Sequence, residues 1–67
     1  MYILKIKGLS KIPDYIQIRD EDFTLVAYFR ADNPDIGLKV IDKPEKIDEL
    51  KKIIRELPFG KIQKLNL

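Results

Sequence analysis

The side chains that most enzymes use for acid–base and nucleophilic catalysis are missing from this sequence. It contains no histidine and no cysteine, so it has neither an imidazole that titrates near neutrality nor a thiolate nucleophile. Ser10 is the only serine, and no histidine is available to activate it. These absences predict a protein that is not an enzyme, with carboxylate-dependent or cation-dependent chemistry as the alternative.

Two acidic segments are the remaining candidates for catalysis or metal binding. Asp20, Glu21 and Asp22 are consecutive, and Asp32 and Asp35 flank a turn. Oxygen-rich loops can bind calcium or magnesium, but neither segment has the spacing of an EF-hand loop. The three glycines are too far apart to form a phosphate-binding loop or a dinucleotide-binding motif. We therefore predict no catalytic residue, no metal ion and no cofactor.

The length of 67 residues fits one domain, residues 1–67. A domain this small buries only about 60% of the surface that it exposes when unfolded, so pairing with another chain would add stability. No apolar run reaches the roughly 18 residues of a membrane span, and lysines interrupt the start of the chain where a signal peptide would be apolar. The absence of cysteine fits a reducing compartment. We expect a soluble, cytoplasmic protein.

Alternation of apolar and polar residues predicts strands in the first half of the chain. Residues 2–7 and 15–19 alternate, and residues 23–30 are rich in aromatic and β-branched side chains. The acidic turn joins the last two segments into a β-hairpin. Two further short strands are predicted at residues 38–41 and 62–67, and a bulge or an irregular edge would explain the imperfect alternation of the second.

A helix is predicted over residues 43–57 from an apolar stripe at steps of three, four and three, which comprises Ile47, Leu50, Ile54 and Leu57. Asp42 and Glu45 have the spacing of a capping box, and Pro58 and Gly60 end the helix. Its exposed side carries too many acids for a membrane-docking helix, so no membrane partner is expected. The order β-β-β-(β)-α-β predicts an α+β fold, a small, mostly antiparallel sheet with one amphipathic helix packed on one face.

Strand parity divides the predicted sheet into two faces. The core beneath the helix is predicted to contain Leu4, Ile6, Ile16, Ile18, Phe23, Leu25, Ala27, Phe29, Ile47, Leu50, Ile54 and Leu57. The outer face is predicted to hold positive charges and tyrosines without an acid, and comprises Ile3, Lys5, Lys7, Tyr15, Gln17, Arg19, Thr24, Val26, Tyr28 and Arg30. A register slip of one residue would reverse the assignment for a strand.

The outer face is the predicted binding surface, with the candidates Lys5, Lys7, Tyr15, Arg19, Val26, Tyr28 and Arg30. Tyrosine and arginine are enriched in protein interfaces, so we expect a non-enzymatic protein-interaction or self-associating module, most simply a homodimer. The alternative is a single-stranded nucleic-acid-binding domain, in which cations neutralise phosphates and tyrosines stack on bases. The net charge of +2 does not decide between them. An ordinary solvated sheet face is the third interpretation.

Overall fold

Residues 1–66, the part of the chain that the structure describes, contain a four-stranded antiparallel sheet with helices on one face. The structure is a computed structural model. The strands are β1 (Tyr2–Ile6), β2 (Tyr15–Arg19), β3 (Leu25–Arg30) and β4 (Ile62–Lys64). The helices are α1 (Asp35–Leu38) and α2 (Ile47–Glu56), with 3₁₀ turns at Lys39–Ile41 and Pro44–Lys46 between them.

The strands lie in the order β3-β2-β1-β4, and each neighbouring pair is antiparallel. Strands β1, β2 and β3 form a meander of two hairpins. The chain then crosses the sheet through α1 and α2 and adds β4 at the free side of β1. The predicted α+β fold is confirmed, and the structure adds a second short helix to it.

The core lies between one face of the sheet and the two helices. Its buried residues are Ile3, Ile16, Ile18, Ala27, Phe29, Leu38, Ile41, Leu50, Ile54, Leu57 and Leu65. Three members of the predicted helical stripe are among them, and the fourth, Ile47, packs against the core while partly exposed. The helix therefore buries the face that its apolar spacing predicted.

The predicted parity of β1 is wrong. Ile3 is fully buried and lies opposite the buried Ile18 of β2, which places Ile3 and Lys5 on the inner face. Leu4 and Ile6 consequently lie on the outer face, where Leu4 is half-buried and Ile6 is exposed. The sequence was ambiguous because β1 has apolar residues on both parities, and only the pairing with β2 chooses between them.

A charged side chain on the inner face needs a polar partner, and Lys5 has one in α2. Its Nζ donates a hydrogen bond to the backbone carbonyl of Ile54 at 2.9 Å. The same Nζ lies 4.9 Å from the ring centroid of Phe59, within the range of a cation–π contact. The ammonium group therefore lies at the rim of the core, with the lysine stem along it.

A β-bulge explains why Phe23 and Leu25 are exposed although they were predicted to be in the core. The pairing of β3 with β2 is irregular at Val26, so that Leu25 and Ala27 lie opposite consecutive residues of β2. Two residues of β3 then occupy one step of β2, and the side-chain parity reverses. Val26 packs against the core instead of facing outward, and Leu25 takes the outer face. Phe23 precedes the strand, with a φ of 63°.

The strand predicted at residues 38–41 is also wrong, because this segment is helical. Leu38 ends α1, and Ile41 ends the 3₁₀ turn that follows. Both are buried while Val40 is exposed, which is the three-residue spacing of a helical turn. Gly37 lets α1 approach the sheet closely, since a Cβ atom at this position would collide with the ring of Phe29.

The ends of α2 and β4 differ from the predictions. The predicted capping box is absent, because Asp42 adopts a left-handed φ of 53° and the 3₁₀ turn Pro44–Lys46 begins without a side-chain cap. Strand β4 ends at Lys64, where the prediction continued to residue 67. The Leu65 amide instead donates to the carbonyl of Met1 at 2.6 Å. Position 67 itself lies outside the described residues.

The parity of β1 predicts unequal effects for the same conservative change on its two faces. Ile3→Val removes a methylene from a fully buried side chain and should lower the free energy of unfolding by about 1 kcal/mol. Ile6→Val makes the same change at an exposed position and should alter it by less than about 0.5 kcal/mol. Urea denaturation followed by circular dichroism measures both. Equal losses, or a larger loss at Ile6, would contradict the pairing described above.

The close approach of α1 to the sheet predicts that Gly37→Ala destabilises the protein. Alanine normally stabilises a helix relative to glycine by about 1 kcal/mol, whereas a clash with the Phe29 ring should cost about 1–3 kcal/mol. A double-mutant cycle with Phe29→Leu separates these effects in urea denaturation, because the smaller side chain relieves the clash. Additive effects of the two substitutions would show that the contact with Phe29 is not responsible.

Candidate functional site

The sheet face opposite the helices is lined by side chains none of which is buried, and we call it the open face. Its members, identified from the strand pairings, are Tyr2, Leu4, Ile6, Tyr15, Gln17, Arg19, Leu25, Tyr28, Arg30, Ile62 and Lys64. Phe23 adjoins it at the β2–β3 turn. The open face is the largest group of exposed apolar and aromatic side chains that the sheet positions together.

Cross-strand pairing arranges the open face in three rows. The row nearest the acidic turn consists of Leu25, Arg19, Tyr2 and Lys64. The middle row consists of Tyr28, Gln17, Leu4 and Ile62. The third row consists of Arg30, Tyr15 and Ile6. Each strand contributes at least one apolar or aromatic side chain, so the apolar surface continues across the whole sheet.

Two tyrosines form a stacked pair on this face. The ring centroids of Tyr15 and Tyr28 are 4.8 Å apart, and their planes differ by 5°. The two residues are diagonal neighbours on adjacent strands, since Tyr15 lies opposite Arg30 and Tyr28 lies opposite Gln17. Stacking restricts both rings to one orientation. The pair therefore presents a rigid aromatic surface rather than two freely rotating side chains.

Arg19 is held flat against the open face by neutral partners. Its Nε and Nη2 donate to Oε1 of Gln17 at 3.3 and 2.9 Å, and its Nη1 donates to the carbonyl of Phe23 at 2.9 Å. The guanidinium carbon lies 4.7 Å from the ring centroid of Phe23, and that ring meets Tyr2 edge-on at 5.9 Å. These contacts satisfy much of the hydrogen-bonding capacity of the guanidinium group and leave its charge in place.

Arg30 is engaged by a neighbouring carboxylate. Its Nε and Nη2 donate to Oδ1 and Oδ2 of Asp32 at 3.0 and 2.8 Å, which is a bidentate ion pair. The hydrogen bonds from Arg30 lower the pKa of Asp32 from its ordinary value. The same contact raises the pKa of Arg30. Asp32 therefore places a negative charge beside Arg30 where the open face ends.

Four of the seven predicted binding residues lie on the open face, namely Tyr15, Arg19, Tyr28 and Arg30. The other three do not. Lys5 projects to the inner face, Lys7 follows the end of β1 in the next loop, and Val26 packs against the core. The reversed parity of β1 and the bulge in β3 account for the differences. The open face is consequently less cationic and more apolar than predicted.

Sequence reasoning missed five apolar or aromatic members of this surface, which are Tyr2, Leu4, Ile6, Leu25 and Ile62, and it also missed the adjoining Phe23. The signal that could have found those in β1 is the run of consecutive apolar residues at its start, which fills both faces of a strand. No local pattern marks the bulge in β3, because it follows from packing between strands.

The carboxylates of the β2–β3 turn stabilise that turn. Oδ1 of Asp20 accepts hydrogen bonds from the backbone amides of Asp22 and Thr24, both at 2.9 Å. Glu21 pairs with the amino group of Met1, and this contact lowers the pKa of Glu21. Within residues 1–66, no group of three or more acidic side chains is placed to hold a metal ion.

A cleft of about 350 Å³ lies between α2 and the loop after β3, and it is lined by Ala31, Asp32, Pro34, Asp35, Lys51, Ile54 and Arg55. Nζ of Lys51 pairs with Oδ1 of Asp35 at 2.6 Å across it. Asp32 is engaged by Arg30. Both carboxylates of the cleft are therefore already ion-paired and exposed, so the cleft offers no free acid or base.

No protein-family model matches the chain, and no curated protein or solved structure matches it either. No helix within residues 1–66 has the length and the apolar character needed to cross a membrane. The fold and the open face define a small α+β domain with one helical layer and one uncovered sheet face. Its function has to be inferred from the side chains on its surface.

The ion pair at the end of β3 predicts a measurable pKa change. Arg30→Gln should raise the pKa of Asp32 toward the ordinary value. Arg30→Lys should give Asp32 a pKa between those of the wild type and of Arg30→Gln, because lysine keeps the charge but loses the bidentate geometry. A lowered pKa means that the pair stabilises the folded state above the unfolded-state pKa, and that this contribution is lost as the pH falls through the folded-state pKa. Nuclear magnetic resonance titration of the Asp32 carboxyl carbon measures the shift. An identical pKa in the wild type and in Arg30→Gln would contradict the pairing.

Proposed function

We propose that this protein is a non-enzymatic self-associating module whose open face packs against the open face of a second copy. The observation that carries the proposal is the continuous apolar surface of the open face, where Ile6, Leu25, Tyr28 and Ile62 are exposed together with the adjoining Phe23. A chain of 67 residues has few apolar side chains for its core. Large exposed apolar patches typically mark interaction sites.

The open face is one uncovered side of a sheet, and a second sheet is a suitable partner for it. Two sheets pack face to face at about 10 Å, with side chains of the two faces interdigitating. A second copy supplies such a sheet with identical chemistry, and most homodimers use the same patch on both subunits. Association would also add the buried apolar surface that a domain of this size lacks.

The size of the open face sets the expected strength of the dimer. Four strands about 4.8 Å apart, with five residues rising about 3.3 Å each, cover roughly 19 by 17 Å. That is a footprint of roughly 320 Å², below the roughly 600 Å² of accessible surface that each partner buries at the small end of specific interfaces. We therefore expect a weak, reversible dimer.

The placement of the cations supports a protein partner over single-stranded nucleic acid. Lys5 and Lys7 do not lie on the open face, and Arg30 is paired with Asp32. Arg19 and Lys64 are the remaining cations of the open face. Nucleic-acid affinity depends on the number of phosphates that a protein neutralises, and two cations provide little of it. In addition, Tyr15 and Tyr28 already cover one face of each other's ring.

Self-association predicts that a charge in the middle row of the open face breaks the dimer. Tyr28→Glu should weaken dimerisation at least about tenfold, because an unpaired carboxylate would be buried in the interface. Val40→Glu is the matched control, since Val40 is 58% exposed and Tyr28 is 54% exposed, but Val40 lies outside the sheet. Sedimentation velocity from micromolar to millimolar concentration measures the effect, and circular dichroism verifies that both variants fold.

Two results would count against the proposal. One is a wild-type protein that remains monomeric at the highest concentration. The other is equal weakening of the dimer by Tyr28→Glu and Val40→Glu. A fluorescence titration with short single-stranded oligonucleotides at two salt concentrations tests the alternative, and salt-dependent binding that Arg19→Gln and Tyr28→Glu abolish would replace self-association with nucleic-acid binding.

A further inference from the structure

The loop between β1 and β2, residues 7–14, exposes apolar side chains that contribute nothing to the core. Leu9 is 73% exposed and Ile12 is 59% exposed. Each has an exposed lysine close to it in the chain, since Lys7 lies shortly before Leu9 and Lys11 directly precedes Ile12. Both side chains are therefore accessible to a partner.

Hydrogen bonds within the loop hold its conformation. The amide of Ile12 donates to the carbonyl of Leu9 at 2.7 Å, and the amide of Gly8 donates to Oδ1 of Asp14 at 2.7 Å. The chain also packs tightly at its base, since a Cβ atom at Gly8 would collide with the carbonyl of Ile12. Leu9 and Ile12 are therefore exposed on a loop whose conformation is held by hydrogen bonds.

A second loop brings another exposed apolar residue and another lysine to this end of the sheet. Strand β4 runs antiparallel to β1 with Ile62 opposite Leu4, so residues 57–61 lie at the end of β1 from which the first loop departs. The amide of Gly60 donates to the carbonyl of Lys5 at 2.8 Å and ties the two segments together. This second loop exposes Phe59 and Lys61.

The two loops carry a net positive charge. Their three lysines, Lys7, Lys11 and Lys61, outnumber Asp14, the only carboxylate of the two loops. Asp32 and Asp35, which follow β3 at the same end, pair with Arg30 and with Lys51. The charge of the two loops therefore favours an anionic partner.

We propose that the two loops form a docking site for an anionic membrane surface. Leu9, Ile12 and Phe59 enter the boundary between headgroups and acyl chains, and Lys7, Lys11 and Lys61 contact lipid phosphates. Leu9 and Ile12, the most exposed of the three apolar side chains, favour lipid over nucleic acid, because an aliphatic side chain has no aromatic face on which a base can stack. The sequence predicted no membrane partner because the exposed side of the helix carries many acids. Those acids lie outside these two loops. The site does not depend on self-association through the open face.

Co-sedimentation with lipid vesicles tests the proposal. The protein should bind vesicles of phosphatidylcholine with about one-third phosphatidylserine and should not bind vesicles of phosphatidylcholine alone. Raising the salt concentration from about 0.05 M to about 0.3 M should weaken the binding, since it shortens the Debye length. Failure to bind the anionic vesicles at the lower salt concentration would overturn the proposal.

Matched double variants separate the loop from a general effect of exposed apolar residues. Leu9→Ser with Ile12→Ser should reduce the vesicle partition coefficient at least about tenfold, because both inserted side chains are lost. Ile36→Ser with Val40→Ser should leave it unchanged, although Ile36 and Val40 are similarly exposed, at 70% and 58%. Equal losses in both variants would overturn the proposal. Equally tight, salt-dependent binding to a short single-stranded oligonucleotide that Leu9→Ser with Ile12→Ser leaves unaffected would also overturn it, in favour of a general polyanion site.

Discussion

Burial of the inner-face isoleucines of β1 and β2 under the helices is the constraint on which the other features depend. Ile3, Ile16 and Ile18 are fully buried, and the antiparallel register places Ile3 directly opposite Ile18. Once this pairing is set, the period of two in a strand assigns each remaining side chain of β1 to a face. A slip of one residue would remove the largest buried side chains of the sheet from the core and would therefore be strongly unfavourable.

That register brings Lys5 to the inner face, and the end of α2 provides its partner. Because α2 ends at Glu56, the carbonyl of Ile54 has no amide four residues further along the helix to accept from. Nζ of Lys5 donates to this carbonyl, and a cation at a helix C-terminus also interacts favourably with the helix dipole. One contact thus satisfies a partly buried lysine and an unpaired helix carbonyl, and it joins β1 to α2.

A single helical layer can cover only one face of a sheet, so the other face stays open in this fold. The open face is the side of the sheet that this layer leaves uncovered, and the two lysine-bearing loops lie at one end of the sheet. The open face is largely apolar, which suits packing against another sheet. The loops are apolar at their tips and cationic at their flanks, which suits an anionic surface. The two surfaces use different side chains and can be altered separately.

The sequence by itself determined the class of the fold, the apolar stripe of α2, the alternation of β2 and the absence of histidine and cysteine chemistry, because each follows from residue identity or short-range periodicity. Tertiary structure alone decided which face of β1 is buried and that residues 38–41 are helical. It also decided that Val26 is the extra residue of the bulge that turns Leu25 outward. Candidate site residues on β2 were predictable because its apolar residues share one parity. Those on β1 and β3 were not, since cross-strand pairing and packing against the helices set their parity.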